Sequence, residues 1–286
     1  MTREARAVRA PGKLVLAGEY AVLWPGEPGI VAAVDRYAIG RMDRGEIKVD
    51  TEAFRDAATG KKLGLGSSAA AAVCMAALMA GETGAEELLP LARAAHDTMG
   101  QSGGSGIDLA ASIRGGILLF RQGSPPERIE TPEGLVLVAG WTGEEARTAD
   151  RTEQVRVRLS ADRAARRDFL VGSSRAVASL RSALEYSSEP ELAGAIRQAL
   201  AAMRDLDRAT GAGIFVPSLD RAIEFADLLG LAAKPSGAGG GDCAIALTFD
   251  PGRARALSDA WRAAGIVPLD LAISPTGVQP ASAERS

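Results

Sequence analysis

The sequence predicts an α+β protein of two domains, and three observations carry that prediction. Up to residue 141, short apolar runs that read as strands alternate with alanine- and leucine-rich helical segments. Residues 162–229 read as three successive helices. A strand, a helix and a strand then close the pattern over 243–273. The change of texture near residues 155–165 sets the domains at 1–160 and 161–275, leaving 276–286 as a loose tail containing Pro and Ser.

Taken in order, the strands of the first half are 14–17, 30–39, 47–51, 117–120 and 135–139, each rich in aliphatic residues. The helices between them are 68–80, dense in Ala, and 86–99, where Leu88, Leu89, Leu91, Ala92 and Ala95 recur at helical spacing. A polar stretch over 142–158 separates these from helices at 162–186, 190–210 and 217–229. The middle one places Leu192, Ile196, Leu200, Met203 and Leu206 on one face, with Pro190 in its first turn and Gly211 beyond its end. Strand 243–249, helix 253–264 and strand 266–273 complete the chain, which carries no internal repeat. Arg163, Arg166 and Arg167 form either a binding patch or a solvated helix face.

Composition excludes several kinds of function. With 47% hydrophobic and 24% charged residues, the 286-residue chain has enough apolar material for one or two cores, so disorder is excluded as its main state. Lys+Arg 33 against Asp+Glu 36 leaves a net charge of −3, too weak a field to draw the protein onto nucleic acid or anionic lipid. An anionic ligand has to be held locally. Cys74 and Cys243 are distant and sit in apolar runs, which rules out a disulfide framework or a cysteine-rich metal site and points to a reducing cytoplasm. No signal peptide is visible, and the apolar run over 69–80, about 12 residues against the ~20 needed to span a bilayer, reads as a buried helix. The single histidine, His96, makes a multi-histidine metal site impossible and is read as a helix residue without a partner. Lysine occurs only at 13, 48, 61, 62 and 234, against 33 − 5 = 28 arginines. A lysine kept beside a glycine-rich segment suggests a compact point charge with three donors.

Three glycine-rich segments take up that suggestion. The first, PGKLVLAGEYAVL at 11–23, carries Lys13 at a strand start and runs into Gly18, Glu19 and Tyr20; taken alone it is also a plain strand and turn with one exposed lysine. The second, KKLGLGSSAAAA at 61–72, sends Gly64, Leu65 and Gly66 into a helix opened by Ser67 and Ser68. Such a loop presents unpaired backbone N–H groups at the positive end of the helix macrodipole, which suits phosphate. A glycine turn with a serine N-cap is the other reading. It is neither a Walker A string nor a dinucleotide fingerprint. The third, KPSGAGGGDCAIAL at 234–247, puts Lys234 and Ser236 beside four glycines in five positions before a buried strand, so backbone either wraps closely around something or forms a flexible connection. Between them, DTMGQSGGSGIDLAASIRGG at 97–116 supplies Asp97 and Asp108, suited to ligate a metal and to act as a base; Asp108 also reads as a helix N-cap. Cations and N–H donors to hold charge, a metal to bridge phosphates and a carboxylate to orient the acceptor are the parts phosphoryl transfer needs.

Together and in this order, the motifs resemble those of the GHMP kinases, the family of galactokinase, homoserine kinase, mevalonate kinase and phosphomevalonate kinase, over residues 11–247. In their details, Gly18-Glu19-Tyr20, a lysine two residues before Gly64-Leu65-Gly66-Ser67-Ser68 and Ser236-Gly237-Ala238-Gly239-Gly240-Gly241-Asp242-Cys243, they are most like the phosphomevalonate kinase branch. The resemblance implies an N-terminal domain of the ribosomal S5 type and a ferredoxin-like C-terminal domain. It implies ATP and Mg²⁺ as cofactors and a phosphorylated mevalonate as the small-molecule acceptor, with no nucleic acid or membrane partner. By motif, Gly64, Leu65, Gly66, Ser67 and Ser68 would cradle the ATP phosphates, Ser68 and Asp97 would hold Mg²⁺, Asp108 would be base or orienting carboxylate, and Lys13 would neutralise the transition state. Lys62, Tyr20, Ser105, Ser236, Gly237 and Ala238 would meet the acceptor. Lys62 also follows from charge: an acceptor that is already a phosphate monoester brings extra negative charge to the γ-phosphate, which a further cation must offset. The family also contains kinases that act on a hydroxyl, and a non-catalytic sensor on the same scaffold is the alternative of a different class. The chain departs from that branch in being short, in an abbreviated stretch over 45–60 and in lacking a proline before the second motif.

Overall fold

The computed structural model describes residues 6–81, 85–100, 103–145 and 148–281. These form two compact units: the described residues of Met1–Leu14, Val31–Leu118 and Ile273–Ser286 make the first, and Val15–Ile30 with Leu119–Ala272 the second. The first unit thus takes in residues from near both ends of the chain.

Strands β1 (Arg6–Ala17), β2 (Pro28–Asp43), β3 (Glu46–Asp50), β4 (Ile117–Arg121) and β5 (Glu127–Ile129) come from the first half of the chain. With the two-residue β10 (Gln279–Pro280) they form a sheet of order β10-β1-β2-β4-β5, with β3 paired to β2. In the first unit, helices α1 (Ser67–Ala80), α2 (Ala85–Thr98) and α3 (Ile107–Arg114) pack on one another. Small residues let α1 bury almost all round: Ala69 to Ala72, Val73, Cys74, Ala76, Ala77 and Leu78 are all enclosed. On α2 the buried stripe is Leu88, Ala92 and His96, four residues apart each time, while Leu91 is 41% exposed.

The second unit holds an antiparallel sheet, β7 (Ala233–Ser236), β8 (Cys243–Thr248), β6 (Val136–Trp141) and β9 (Val267–Leu269), in the order β7-β8-β6-β9. Helices α4 (Thr148–Ala161), α5 (Arg163–Glu185), α6 (Glu189–Thr210), α7 (Pro217–Leu228) and α8 (Pro251–Ala263) accompany it. Leu219, Ala222 and Ala226 of α7 and Leu257 and Trp261 of α8 cover Val138, Ala244 and Ala246 of the sheet. A second cluster gathers Tyr20 and Ala21 with Val155, Leu159, Phe169, Met203, Leu206 and Ile214. The Asp162 side chain caps α5, accepting from Ala164 N (3.0 Å) and Ala165 N (2.9 Å).

Five expectations are corrected. The polar stretch 142–158 is largely α4, whose buried apolar residues Val155 and Leu159 make a stripe too narrow to read as a periodic face. The four residues Ala-Lys-Pro-Ser of β7 form an edge strand, where proline can sit without costing a ladder bond. The closing strand shortens to β9, with Ile273 making an isolated bridge to Val34 instead. Residues 276–281 are not loose: Gln279 and Pro280 pair with Arg9 and Val8 of β1, and Ala281 N donates to Ala7 O (3.0 Å). The remainder of the expected tail, 282–286, lies outside the described residues. Lys13 stands well inside a strand rather than at its start, because β1 begins at Arg6.

Candidate active site

In the first unit, β1 and the loop before α1 lie in close backbone contact: Lys13 N donates to Leu65 O at 2.8 Å. Gly66 follows with φ +81° as the residue preceding α1, and no side chain caps the helix. The first turn of α1 at Ser67, Ser68 and Ala69 therefore offers its backbone donors outward, with the positive helix end behind them. The stem of Lys13 lies across Gly66 so closely that a Cβ there would stand 2.9 Å from its Cγ. Glycine is thus required at 66 by the left-handed backbone and by the lysine together. The serine N-cap reading does not hold, since the capping position is Gly66.

Helix α3 starts in the same way. Gly106, also left-handed, precedes it without a side-chain cap, and Asp108 is its second residue, half-buried, with Oδ1 accepting from Leu109 N at 3.0 Å. Asp108 is accordingly not the N-cap. A carboxylate in the first turn is favoured by the helix dipole and keeps its other oxygen available. Ser105 is buried, and its Oγ accepts from Ile107 N (3.3 Å). Arg93 of α2 donates to Gly104 O (3.4 Å) and Ser105 O (3.0 Å), fixing the turn into α3. Ser112 Oγ donates to Pro11 O (2.8 Å), which ties α3 to β1 two residues before Lys13. His96 is not without a partner: Nε2 lies 3.1 Å from Ser68 Oγ. Asp97, the next residue of α2, is exposed. Lys61 and Lys62 are exposed at the base of a small loop in which Lys62 bridges to Arg55.

The second unit carries the other two expected groups. Tyr20, at φ +61°, is buried and its hydroxyl donates to Ala238 O (2.6 Å); burial pushes the phenol above its ordinary value of 10.0, against the opposing pull of the Arg151 charge. Lys234 is 0% exposed and forms an ion pair with Glu19, while its Nζ also donates to Pro235 O (2.7 Å). Burial lowers the lysine's pKa and the Glu19 carboxylate works against that shift. Ser236 Oγ accepts from Val15 N (2.9 Å) and donates to Val15 O (3.1 Å), serving as a rung between two strands. The glycine loop wraps on the protein itself: Gly240 N donates to Ile214 O (2.7 Å), Asp242 N to Glu144 O (2.8 Å), and Arg151 reaches Gly240 O (3.5 Å) and Gly213 O (3.2 Å). It is not a flexible connection.

A family model for the GHMP kinases N terminal domain matches residues 31–116, and one for the GHMP kinases C terminal matches 180–267. The chain is 30% identical to a phosphomevalonate kinase of Streptomyces sp. strain CL190, over 97% of this chain and 100% of that protein. The chain belongs to the GHMP kinases. A mevalonate kinase of Pyrococcus horikoshii is 28% identical, over 96% of this chain and 83% of its own. Among solved structures, the Streptococcus pneumoniae phosphomevalonate kinase in complex with phosphomevalonate and AMPPNP superposes with a TM-score of 0.79 at 23% identity, over 93% of this chain and 99% of that one. The expected two-domain α+β fold of the GHMP kinases is the fold observed.

Within this GHMP kinase, the first unit brings Lys13, Gly64 to Ser68, Ser105 and Asp108 into one framework of β1, α1 and α3. The second unit holds Tyr20 and Ser236 to Ala238 on the Glu19–Lys234 side. Sequence reasoning missed His96, Arg93 and the use of Lys234 by Glu19. For His96 a signal was present: it falls on the Leu88–Ala92 stripe, one turn further on, so the helix face that meets the core also carries the imidazole. Among the described residues no helix is long and apolar enough to cross a membrane.

Proposed function

We propose that this chain is an ATP-dependent kinase that moves the γ-phosphoryl group onto the phosphate of mevalonate 5-phosphate, giving the 5-diphosphate. The P–O bond to the ADP leaving group breaks as a bond to an oxygen of the acceptor phosphate forms. The observation that carries this reading is the uncapped start of α1 with the Lys13 stem laid over Gly66, supported by the full-length similarity to a phosphomevalonate kinase. The N–H groups of the first turn hold the phosphates of ATP, and the Lys13 ammonium offsets charge that builds on the transferring group. Ser105 meets the acceptor, and the exposed Lys62 offsets its extra phosphate charge.

The donor set fits Mg²⁺. Ser68 offers a hydroxyl oxygen, and the carboxylate of Asp97 directly follows His96, whose ring lies 3.1 Å from that hydroxyl. A few oxygen ligands completed by substrate phosphates are what that ion takes. Ser68 and Asp97 would hold it, and when bound it would neutralise phosphate charge. Because a phosphate monoester loses its second proton near pH ~6, the attacking oxygen needs little deprotonation at neutral pH, and Asp108 acts chiefly to orient.

The reading is tested by following ATP consumption with Mg²⁺ and a panel of phosphomevalonate, mevalonate, homoserine and galactose. Turnover with phosphomevalonate above the rest is expected. Preference for an alcohol overturns the acceptor while leaving a kinase; ATP binding without turnover on any of the four favours a sensor.

A further inference from the structure

The arginines that open α5 have no part in the proposed reaction. Arg163, Arg166 and Arg167 line a groove of about 620 Å³ whose lining residues all belong to the second unit. Two rows of α5 side chains form it. Arg166, Leu170 and Ser174 recur every four residues on one row, and Arg163, Arg167, Val171 and Arg175 on the next, so both rows share one side of the helix. Glu27, from the segment before β2, completes the lining, its carboxylate accepting from Ser174 Oγ at 2.8 Å.

The charges of this groove are unbalanced. Among the described residues, the side chains of Arg163, Arg166 and Arg175 make no ion pair and no hydrogen bond. Arg167 meets Asp168 at 3.0 Å, but both side chains are largely exposed, and a pair of that kind holds weakly. The Asp162 carboxylate is turned to the backbone, accepting from Ala164 N and Ala165 N, so the binding groups on offer are guanidinium forks and not helix N–H donors. Glu27 is one anion set against four cations. As a merely solvated face the arrangement is poor, because like charges three and four residues apart repel and cations in a first turn oppose the helix dipole. A dianion bridging the forks offsets both effects. Beside the cations lies an apolar floor, with Leu170 half-buried and Val171 43% exposed.

We propose that this groove binds a small organic phosphate, its dianionic head held by Arg163, Arg166 and Arg167 and its apolar body laid over Leu170 and Val171. The planar fork of arginine matches phosphate oxygens in pairs. Arg175 stands eight residues beyond Arg167, about 12 Å along the helix, which limits the body to that length.

The probe is phenyl phosphate, titrated calorimetrically into the full chain at about 0.15 M salt, where loose attraction to exposed charge is screened. Inorganic phosphate, which lacks the body, is the comparison. Saturable binding of phenyl phosphate, about tenfold tighter than inorganic phosphate, is expected. Lys13→Ala, which alters the proposed nucleotide phosphate loop, should keep that affinity, and the double variant Arg166→Gln with Arg167→Gln should lose it at least about tenfold. Val171→Asn, a single change on an exposed position, should bring the two probes' affinities together and leave inorganic phosphate binding as it was. No binding of phenyl phosphate, binding that survives the double arginine variant, or binding lost in Lys13→Ala overturns the site. Equal affinity for the two probes in the unaltered chain, or a preference unchanged in Val171→Asn, overturns the apolar body. Tighter binding of a polyglutamate peptide than of phenyl phosphate overturns the organic phosphate and assigns the groove to an acidic protein segment.

Discussion

Glu19, in the turn after β1, and Lys234, in the edge strand β7, form an ion pair across 215 positions of sequence with the lysine side chain wholly enclosed. Each is left without water, so each depends on the other. Removing one member of a buried pair typically costs about 3–5 kcal/mol, whereas replacing both by neutral groups of similar volume is often close to neutral. Lys234→Met and Glu19→Gln should each lower the denaturation midpoint strongly, and the double variant should recover most of the loss. Additive losses in urea unfolding would show that the two side chains act independently.

The backbone at Gly66 sets a second expectation. Gly66→Ala adds a Cβ in a left-handed position, at about 1–2 kcal/mol, and pushes it against the Lys13 stem. Gly60, at φ +70°, has nothing within 4 Å of an added Cβ. Gly60→Ala is therefore a matched control that carries the backbone cost without displacing the lysine. Gly66→Ala should lose ATP affinity and turnover well beyond its loss of stability, and Gly60→Ala should lose only stability. The same activity in both variants would remove Lys13 from the phosphate end.

How much of this was legible follows from how local each signal is. Helices α1 and α6 announce themselves because alanine density, a one-sided stripe and the Pro190 and Gly211 boundaries all lie within their own spans. The glycine loop leading into α1 was legible for the same reason, since Gly64, Gly66 and the start of the helix lie within a few residues of one another. What was not legible depends on partners far away. Ser68 meets His96 28 residues on, and Ser236 meets Val15 across 221. Lys234 therefore looked like a free cation beside glycines, although its charge is neutralised by Glu19. Strand β7 was hidden because Lys and Pro are poor strand formers, tolerated where only one neighbour strand needs hydrogen bonds. The ordering of 276–281 arises from β1, to which nothing in those few residues points.

Stability at alkaline pH should depend on Cys74. Its thiol is enclosed in α1, donates to Ala38 O (3.4 Å), and burial pushes its pKa from the ordinary 9.0 up to about 12. The folded state thus keeps a proton that the unfolded chain releases above pH 9. That contribution is fully present below 9.0 and is lost as pH rises toward the folded value, on the order of 1.4 kcal/mol for each pH unit in between. Tyr20 acts with the same sign above 10.0, and Lys234, whose pKa is lowered, with the opposite sign below 10.5. The difference between wild type and Cys74→Ala isolates the thiol. Chemical denaturation from pH 8 to 10.5 should show the wild type losing its advantage steadily above pH 9, and parallel profiles would remove Cys74 as the cause.

Asp108 and Lys62 are separable by kinetics. Asp108 sits in the first turn of α3 with one oxygen held by Leu109 N, so Asp108→Asn keeps shape and hydrogen bonding while removing the charge. If it orients the attacking group, the variant should bind ATP normally and lose kcat by orders of magnitude, with kcat/KM falling in parallel. Wild-type turnover would take Asp108 out of the mechanism. Lys62 is exposed and lies two residues before Gly64, where it has no part in the fold's core. Its proposed task is to offset the acceptor's own phosphate, an interaction present in the ground state as well as in the transition state. Lys62→Ala should therefore raise KM for phosphomevalonate far more than KM for ATP, with kcat changed little. The effect should shrink as salt rises, because an exposed charge is screened over about 8–10 Å at physiological ionic strength. A rise in KM that is equal for both substrates would assign Lys62 to the nucleotide instead.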